Sequence, residues 1–155
     1  MNRLTRHSQA KNAVIAVLQL IGAALLLFCA LWTPTLAEDA PLEISGAKTV
    51  DYKGVVDLLS TAPGLVVIDN RKQADFDSGH IEGAVNIPDT DMSKELLANA
   101  APSTNTPILF YCNGVKCGRA ANATTKALGW GYDHIYYYAG GMFEWKANRL
   151  PLVTK

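Results

Sequence analysis

Pro107-Ile108-Leu109-Phe110-Tyr111-Cys112-Asn113-Gly114-Val115-Lys116-Cys117-Gly118-Arg119 passes from an apolar run into a short polar loop punctuated by two glycines. An alanine-rich stretch, Ala120 to Leu128, follows and closes at Gly129, a natural helix stop. The order is therefore strand, loop, helix. A second apolar run, Leu65-Val66-Val67-Ile68-Asp69, is continuous rather than alternating, the mark of a strand covered on both faces. Working outward, Ala84 to Ile87 reads as a short strand stopped by Pro88, and Ile135 to Tyr138 as an aromatic strand. Helices are expected where Val55, Val56, Leu58 and Leu59 follow Asp51 as a cap, over Met92 to Ala100 with Asp91 near its start, and over Met142 to Ala147 after a Gly140-Gly141 turn. Asn70 to Gly79 is polar, with room for one or two helical turns. Strands alternating with helices predict an α/β fold: a central, mostly parallel sheet of about five strands with helices on both faces. In such sheets the working site lies beyond the carboxyl ends of the strands, and Cys112 stands at one of those ends.

A thiol where a strand feeds a helix faces backbone N–H groups and the positive end of the helix dipole, and both favour the thiolate. Gly114 and Gly118 allow neighbouring N–H groups to turn inward as an anion nest, and Lys116 and Arg119 lower a nearby thiol pKa. Cys112 is accordingly the candidate nucleophile, against the plainer reading of a small hydrophobe at a strand end. The loop residues Asn113, Gly114, Val115, Lys116, Cys117, Gly118 and Arg119 form the candidate binding site. Arg119 can hydrogen-bond several loop carbonyls or one oxyanion, whereas Lys116 would act as a point charge; both also fit ordinary surface charges. Cys117 is the candidate redox partner, but its position leaves four roles open: resolving thiol, disulfide partner of Cys112, second sulfur carrier, or neighbour of a helix cap.

The first 37 residues are read as a leader rather than as fold. Arg3, Arg6 and Lys11 precede an apolar stretch from Ala13 to Trp32 interrupted only by Gln19, and Thr35-Leu36-Ala37 supplies small residues ahead of Glu38-Asp39. That order is the secretory signal pattern, with cleavage expected after Ala37; the alternative is an uncleaved membrane anchor over residues 13–32. Either predicts export of residues 38–155, in a bacterium to the periplasm, where disulfides persist. Cys29 lies in this leader, so the exported part carries only Cys112 and Cys117. A lead-in segment over residues 38–47 is expected to be loose, with the folded domain over 48–155. All fourteen acidic residues follow position 37, against eleven of fourteen basic ones, and no basic tract is present, which argues against nucleic acid as a partner. The membrane is a partner only through an uncleaved leader.

The residues also carry a family resemblance. Val67-Ile68-Asp69-Asn70-Arg71, then Asp75-Phe76 and Gly79-His80-Ile81-Glu82-Gly83-Ala84-Val85-Asn86-Ile87-Pro88, resemble the first signature of rhodanese-like domains. Tyr111-Cys112 with Gly118-Arg119-Ala120 is similar to the family's active-site loop, and Gly140-Gly141, Trp145 and Leu150-Pro151 to its C-terminal signature. The resemblance runs from about Val50 to Pro151. It implies a rhodanese-like fold and a sulfurtransferase whose cysteine, matched by Cys112, carries sulfane sulfur as a persulfide from a small anionic donor such as thiosulfate to a thiol or cyanide-like acceptor. A redox or sulfur-carrier protein is a further implied partner. Arg119 matches the arginine that closes the loop in many members. The common loop places four residues between cysteine and arginine and the related phosphatase loop five; here there are six, so the size of the accepted anion does not carry over.

Asp69 and Arg71 are read as a structural brace and His80 as a turn residue whose ring bonds backbone. His134 opens a strand with no visible partner. No cofactor and no metal are expected, because neither histidine is spaced to join the cysteines around an ion. The rival functions are a thiol–disulfide switch using Cys112 and Cys117, a non-catalytic binding module on the same fold, and a cysteine phosphatase. The phosphatase is disfavoured by Tyr111 in place of histidine before the nucleophile.

Overall fold

The computed structural model describes residues 39–154. The expected leader, with Cys29 and the cleavage expected after Ala37, lies outside the described residues. Five strands form one sheet: β1 (Lys48–Thr49), β2 (Val66–Asp69), β3 (Val85–Asn86), β4 (Ile108–Tyr111) and β5 (Ile135–Tyr138). They lie in the order β1-β5-β4-β2-β3, and every pairing is parallel. The helices are α1 (Tyr52–Thr61), α2 (Gln73–Asp77), α3 (Lys94–Ala100), α4 (Arg119–Gly129) and α5 (Gly141–Ala147).

The central strand β4 carries the fold. All four of its residues are buried, and full burial of an aliphatic or aromatic side chain contributes about 1.5–3 kcal/mol. Successive side chains point to opposite faces of a strand. Ile108, Phe110 and then Cys112 pack with Leu97 of α3 and Ala120, Ala123 and Ala127 of α4. Leu109 and Tyr111 pack on the other face with Val55 of α1 and Met142 and Trp145 of α5. The alanines of α4 let that helix sit close against the sheet, which draws its N-terminus up beside Cys112.

Three local expectations differ from the structure. Helix α3 begins at Lys94 rather than Met92, because Ser93 caps it: its hydroxyl accepts from the Leu96 N–H at 3.2 Å. Helix α1 buries Val55 and Leu58, whereas Val56 and Leu59 are 43% and 41% exposed and line an open groove with Trp145 and Leu150. The lead-in segment is not loose over its described part: Ala40 is buried and its N–H donates to the Val115 carbonyl at 2.8 Å, while the Tyr137 hydroxyl donates to the Pro41 carbonyl at 2.9 Å.

Candidate active site

The Cys112–Arg119 loop hangs between three fixed points. Strand β4 delivers Cys112, helix α4 begins at Arg119, and the start of α5 holds the loop from below. The Met142 N–H donates to the Cys112 carbonyl at 2.9 Å and the Phe143 N–H to the Asn113 carbonyl at 2.8 Å. Two glycines permit that approach. Gly141 has a positive φ of +53°, and a Cβ there would run into the Cys112 carbonyl oxygen and lie 2.8 Å from the Gly114 nitrogen. At Gly114 a Cβ would lie 2.9 Å from the Phe143 ring and 3.1 Å from the Gly140 carbonyl oxygen. The glycine pair of the C-terminal signature therefore supports the loop.

The loop folds back through a turn in which the Cys117 N–H donates to the Gly114 carbonyl at 2.8 Å. This brings Cys117 over Cys112, with their Cα atoms 6.4 Å apart, and the two sulfurs are joined as a disulfide. The Cys112 sulfur also lies 3.4 Å from the Cys117 carbonyl oxygen. The two cysteines are unequal: Cys112 is only 2% exposed, whereas Cys117 is half-buried and faces solvent.

A cavity of about 340 Å³ opens above the loop, lined by Asn113, Lys116, Cys117, Gly118, Arg119 and Phe143. Cys112 lies beneath its floor in this oxidised form, Gly114 is covered by Phe143, and Val115 is exposed outside it, its carbonyl accepting from the Ala40 N–H. The backbone N–H groups of Val115, Lys116, Gly118 and Arg119 have no hydrogen-bond partner among the described residues. Helix α4 opens without an acidic residue in its first turn and with Arg119 as its first residue. Positive charge at a helix N-terminus opposes the dipole. Unpaired N–H groups and misplaced cations together make a site that an anion would stabilise.

Arg119 lines the cavity as the last residue of the loop. Rather than bonding the loop carbonyls, its Nε lies 3.7 Å from Oδ1 of Asp89, in the connection between β3 and α3. The Asp89 carbonyl in turn accepts from Lys126 Nζ at 2.8 Å. Asp89 and Phe143, the latter 67% exposed at the cavity rim, were not among the expected site residues. Neither stands near the loop in sequence, and Phe143 carried only the signal of its neighbours Gly140 and Gly141.

Asp69 and Arg71 sit at the end of β2, 0% and 2% exposed, with Arg71 Nη2 2.6 Å from Asp69 Oδ2. Arg71 also donates to the Gly79 carbonyl at 2.9 Å, tying β2 to the turn before His80. Burial pulls the Arg71 guanidinium down, but the hydrogen-bonded Asp69 carboxylate outweighs it and the pKa rises. Burial, followed by the nearby Asp69 charge, pushes the Tyr111 phenol well above its ordinary value. Its hydroxyl accepts from the Ile81 N–H at 3.3 Å. His80 stacks on Phe76 at 3.7 Å, and its Nδ1 lies 2.9 Å from the Phe76 carbonyl. None of these groups lines the cavity. His134 does have a partner: its Nε2 is 3.0 Å from the Tyr136 hydroxyl.

The rhodanese-like domain family matches residues 53–148, from α1 through α5 and across the loop. The chain belongs to the rhodanese-like domain family. Its relatives include YibN of Escherichia coli K12, an uncharacterised protein 30% identical over 89 residues, 57% of this chain and 60% of that one. The chain spans about three fifths of the length of such curated relatives. Among solved structures, the BH2092 protein of Bacillus halodurans superposes with a TM-score of 0.62 at 22% identity, over 70% of this chain and 77% of that one. A thiosulfate sulfurtransferase from Pseudomonas aeruginosa does so at 0.61 and 20% identity, over 70% of this chain and 20% of that one. At these identities the two structures establish the rhodanese fold, with its five-stranded parallel sheet, and nothing finer.

Proposed function

We propose that the protein is a sulfurtransferase that moves sulfane sulfur from a small anionic donor such as thiosulfate to a thiol acceptor through a persulfide on Cys112. The observation that carries this reading is the pairing of a thiol at the end of β4 with a cavity whose free N–H groups, Lys116 and Arg119 suit an oxyanion. In the reduced protein, the Cys112 thiolate attacks the outer sulfur of thiosulfate. The sulfur–sulfur bond of the donor breaks, sulfite leaves with the electron pair, and Cys112 holds the transferred sulfur. The loop N–H groups and Arg119 stabilise the charge on the departing sulfite. An acceptor thiolate then takes the outer sulfur and frees Cys112. The leader reading extends the proposal to an exported, periplasmic enzyme, on the pattern of residues 1–37.

The test is the sulfite released by the reduced protein on exposure to thiosulfate, together with the mass of reduced Cys117→Ser treated in the same way. Release of sulfite, with a gain of one sulfur atom in Cys117→Ser, both lost when Cys112 is replaced by Ser, supports the reading. Full turnover in Cys112→Ser would overturn it. A second reading, a thiol–disulfide switch without sulfur transfer, is favoured by the Cys112–Cys117 disulfide; it requires oxidation of the thiol pair with no release of sulfite from thiosulfate.

A further inference from the structure

We propose that the chain also reduces the sulfur it accepts, releasing it as sulfide, with Cys117 as the resolving thiol and a dithiol as the external reductant. The inference rests on the Cys112 persulfide of the preceding reading, and adds an activity to it. Its basis is which sulfur Cys117 reaches. The disulfide joins Cys117 to the Cys112 sulfur itself, which in a persulfide is the inner of the two sulfurs. Attack on the outer sulfur would relay it to Cys117. Attack on the inner one expels it.

The steps balance. Sulfur transfer leaves Cys112 as a persulfide and sulfite in solution. The Cys117 thiol then gives up its proton and attacks the Cys112 sulfur, the bond from that sulfur to the outer one breaks, and the outer sulfur departs with the bonding pair and takes up that proton as hydrosulfide. Two thiols have become one disulfide, and sulfane sulfur has gained two electrons. A dithiol reductant restores both thiols and becomes a disulfide itself. The net reaction converts thiosulfate and a dithiol into sulfite, sulfide and an oxidised dithiol.

Three features suit the loop to this cycle. The bond forms within the folded loop, since a Cα separation of 6.4 Å lies inside the disulfide range and the Gly114–Cys117 turn holds it there. Reduction has a direction, because Cys117 lines the cavity while Cys112 lies beneath it. A reducing thiolate meets Cys117 first, and Cys112 is the leaving group. Cys112 also clusters with Ala120 in the first turn of α4, so that the helix dipole favours its thiolate as it leaves. Reduction therefore regenerates the nucleophile, and captures Cys117 in any mixed disulfide.

The experiment is a single turnover without oxygen. The full-length chain in a Cys29→Ser background is reduced, freed of reductant and given one equivalent of thiosulfate; sulfite, sulfide and alkylated peptides are then measured. The expected result is one sulfite and one sulfide per chain, with Cys112 and Cys117 joined. Cys117→Ser should release sulfite but no sulfide, and keep the extra sulfur on Cys112. Sulfite with no sulfide from the parent protein would overturn this proposal and leave the sulfurtransferase reading intact. Equal sulfide from Cys117→Ser would overturn it as well. No sulfite from the parent would overturn both readings.

Discussion

Replacing Gly141 by Ala tests whether the start of α5 holds the active loop in place. The backbone there has φ +53°, and the added methyl would meet the Cys112 carbonyl oxygen and the Gly114 nitrogen, both backbone atoms. An L-residue in this left-handed region costs about 1–2 kcal/mol. Relief of the clash separates α5 from the loop and endangers the 2.9 and 2.8 Å hydrogen bonds to Cys112 and Asn113, each with a net worth of about 1 kcal/mol. Stiffening of the unfolded chain returns about 0.4–1 kcal/mol. The expected loss is about 2–3 kcal/mol, which for a domain of this size lowers Tm by roughly 10 °C. Sulfur transfer, assayed below the melting range, should fall further than stability does, by on the order of 10²-fold, because the displaced loop carries Cys112, the proposed nucleophile. Gly129→Ala is the control, since a Cβ there meets nothing within 4 Å. If Gly141→Ala melts within roughly 2 °C of the parent and turns over normally, the glycine does not support the loop and the argument fails.

Three further outcomes follow from the geometry. Arg71→Met leaves the Asp69 carboxylate buried without its partner and should destabilise the domain by about 3–5 kcal/mol in urea titration; a loss under about 1 kcal/mol would show the pair to be solvated. Asp89→Asn releases Arg119 from a partly exposed contact, so stability should change by no more than about 1 kcal/mol while KM for thiosulfate falls; a raised KM would mean that Asp89 orients Arg119 for the donor. Burial holds the Tyr111, Tyr132, Tyr137 and Tyr138 phenols protonated above their ordinary value of 10.0. The unfolded chain therefore loses protons that the folded one keeps, and stability present below pH 10 should decline as pH rises past it. The slope is at most about 1.4 kcal/mol per pH unit for each such tyrosine. Urea midpoints from pH 8 to 11 in a Cys112→Ser/Cys117→Ser background would measure it, and a flat profile would contradict the burial argument.

The central strands were legible because their chemistry is unambiguous: Val66–Asp69 and Ile108–Tyr111 are unbroken apolar runs, and Ile135–Tyr138 was predicted residue for residue. Strand β1 was not. Lys48 and Thr49 are both exposed, have no apolar pattern, and are held by pairing with Tyr136 and Tyr137, nearly ninety positions away. Asp89 escaped for the same reason, since its contact with Arg119 depends on how the β3–α3 connection passes over the start of α4. The lead-in segment reads as loose, yet the Ala40 N–H docks on the Val115 carbonyl, which comes into place only once that loop is folded. The four residues between Cys112 and Cys117 allowed a disulfide without requiring one. What decides the matter is the Gly114–Cys117 turn, a backbone feature that the residue spacing does not encode.

The pairing of β1 with β5 also sets an order of assembly. In a chain synthesised from its amino end, Lys48 and Thr49 emerge early, but their partners Tyr136 and Tyr137 lie near the other terminus. The Ala40 strap waits on Val115, and the Pro41 carbonyl waits on the Tyr137 hydroxyl. Contacts of such long sequence separation form slowly, because the intervening chain must be ordered before they are rewarded. β2, β3 and β4 can pair before that, so Cys112 and Cys117 can meet an oxidant before the strap and the α5 glycines close around them. The final shape of the loop is thus set last, by the two ends of the chain arriving together.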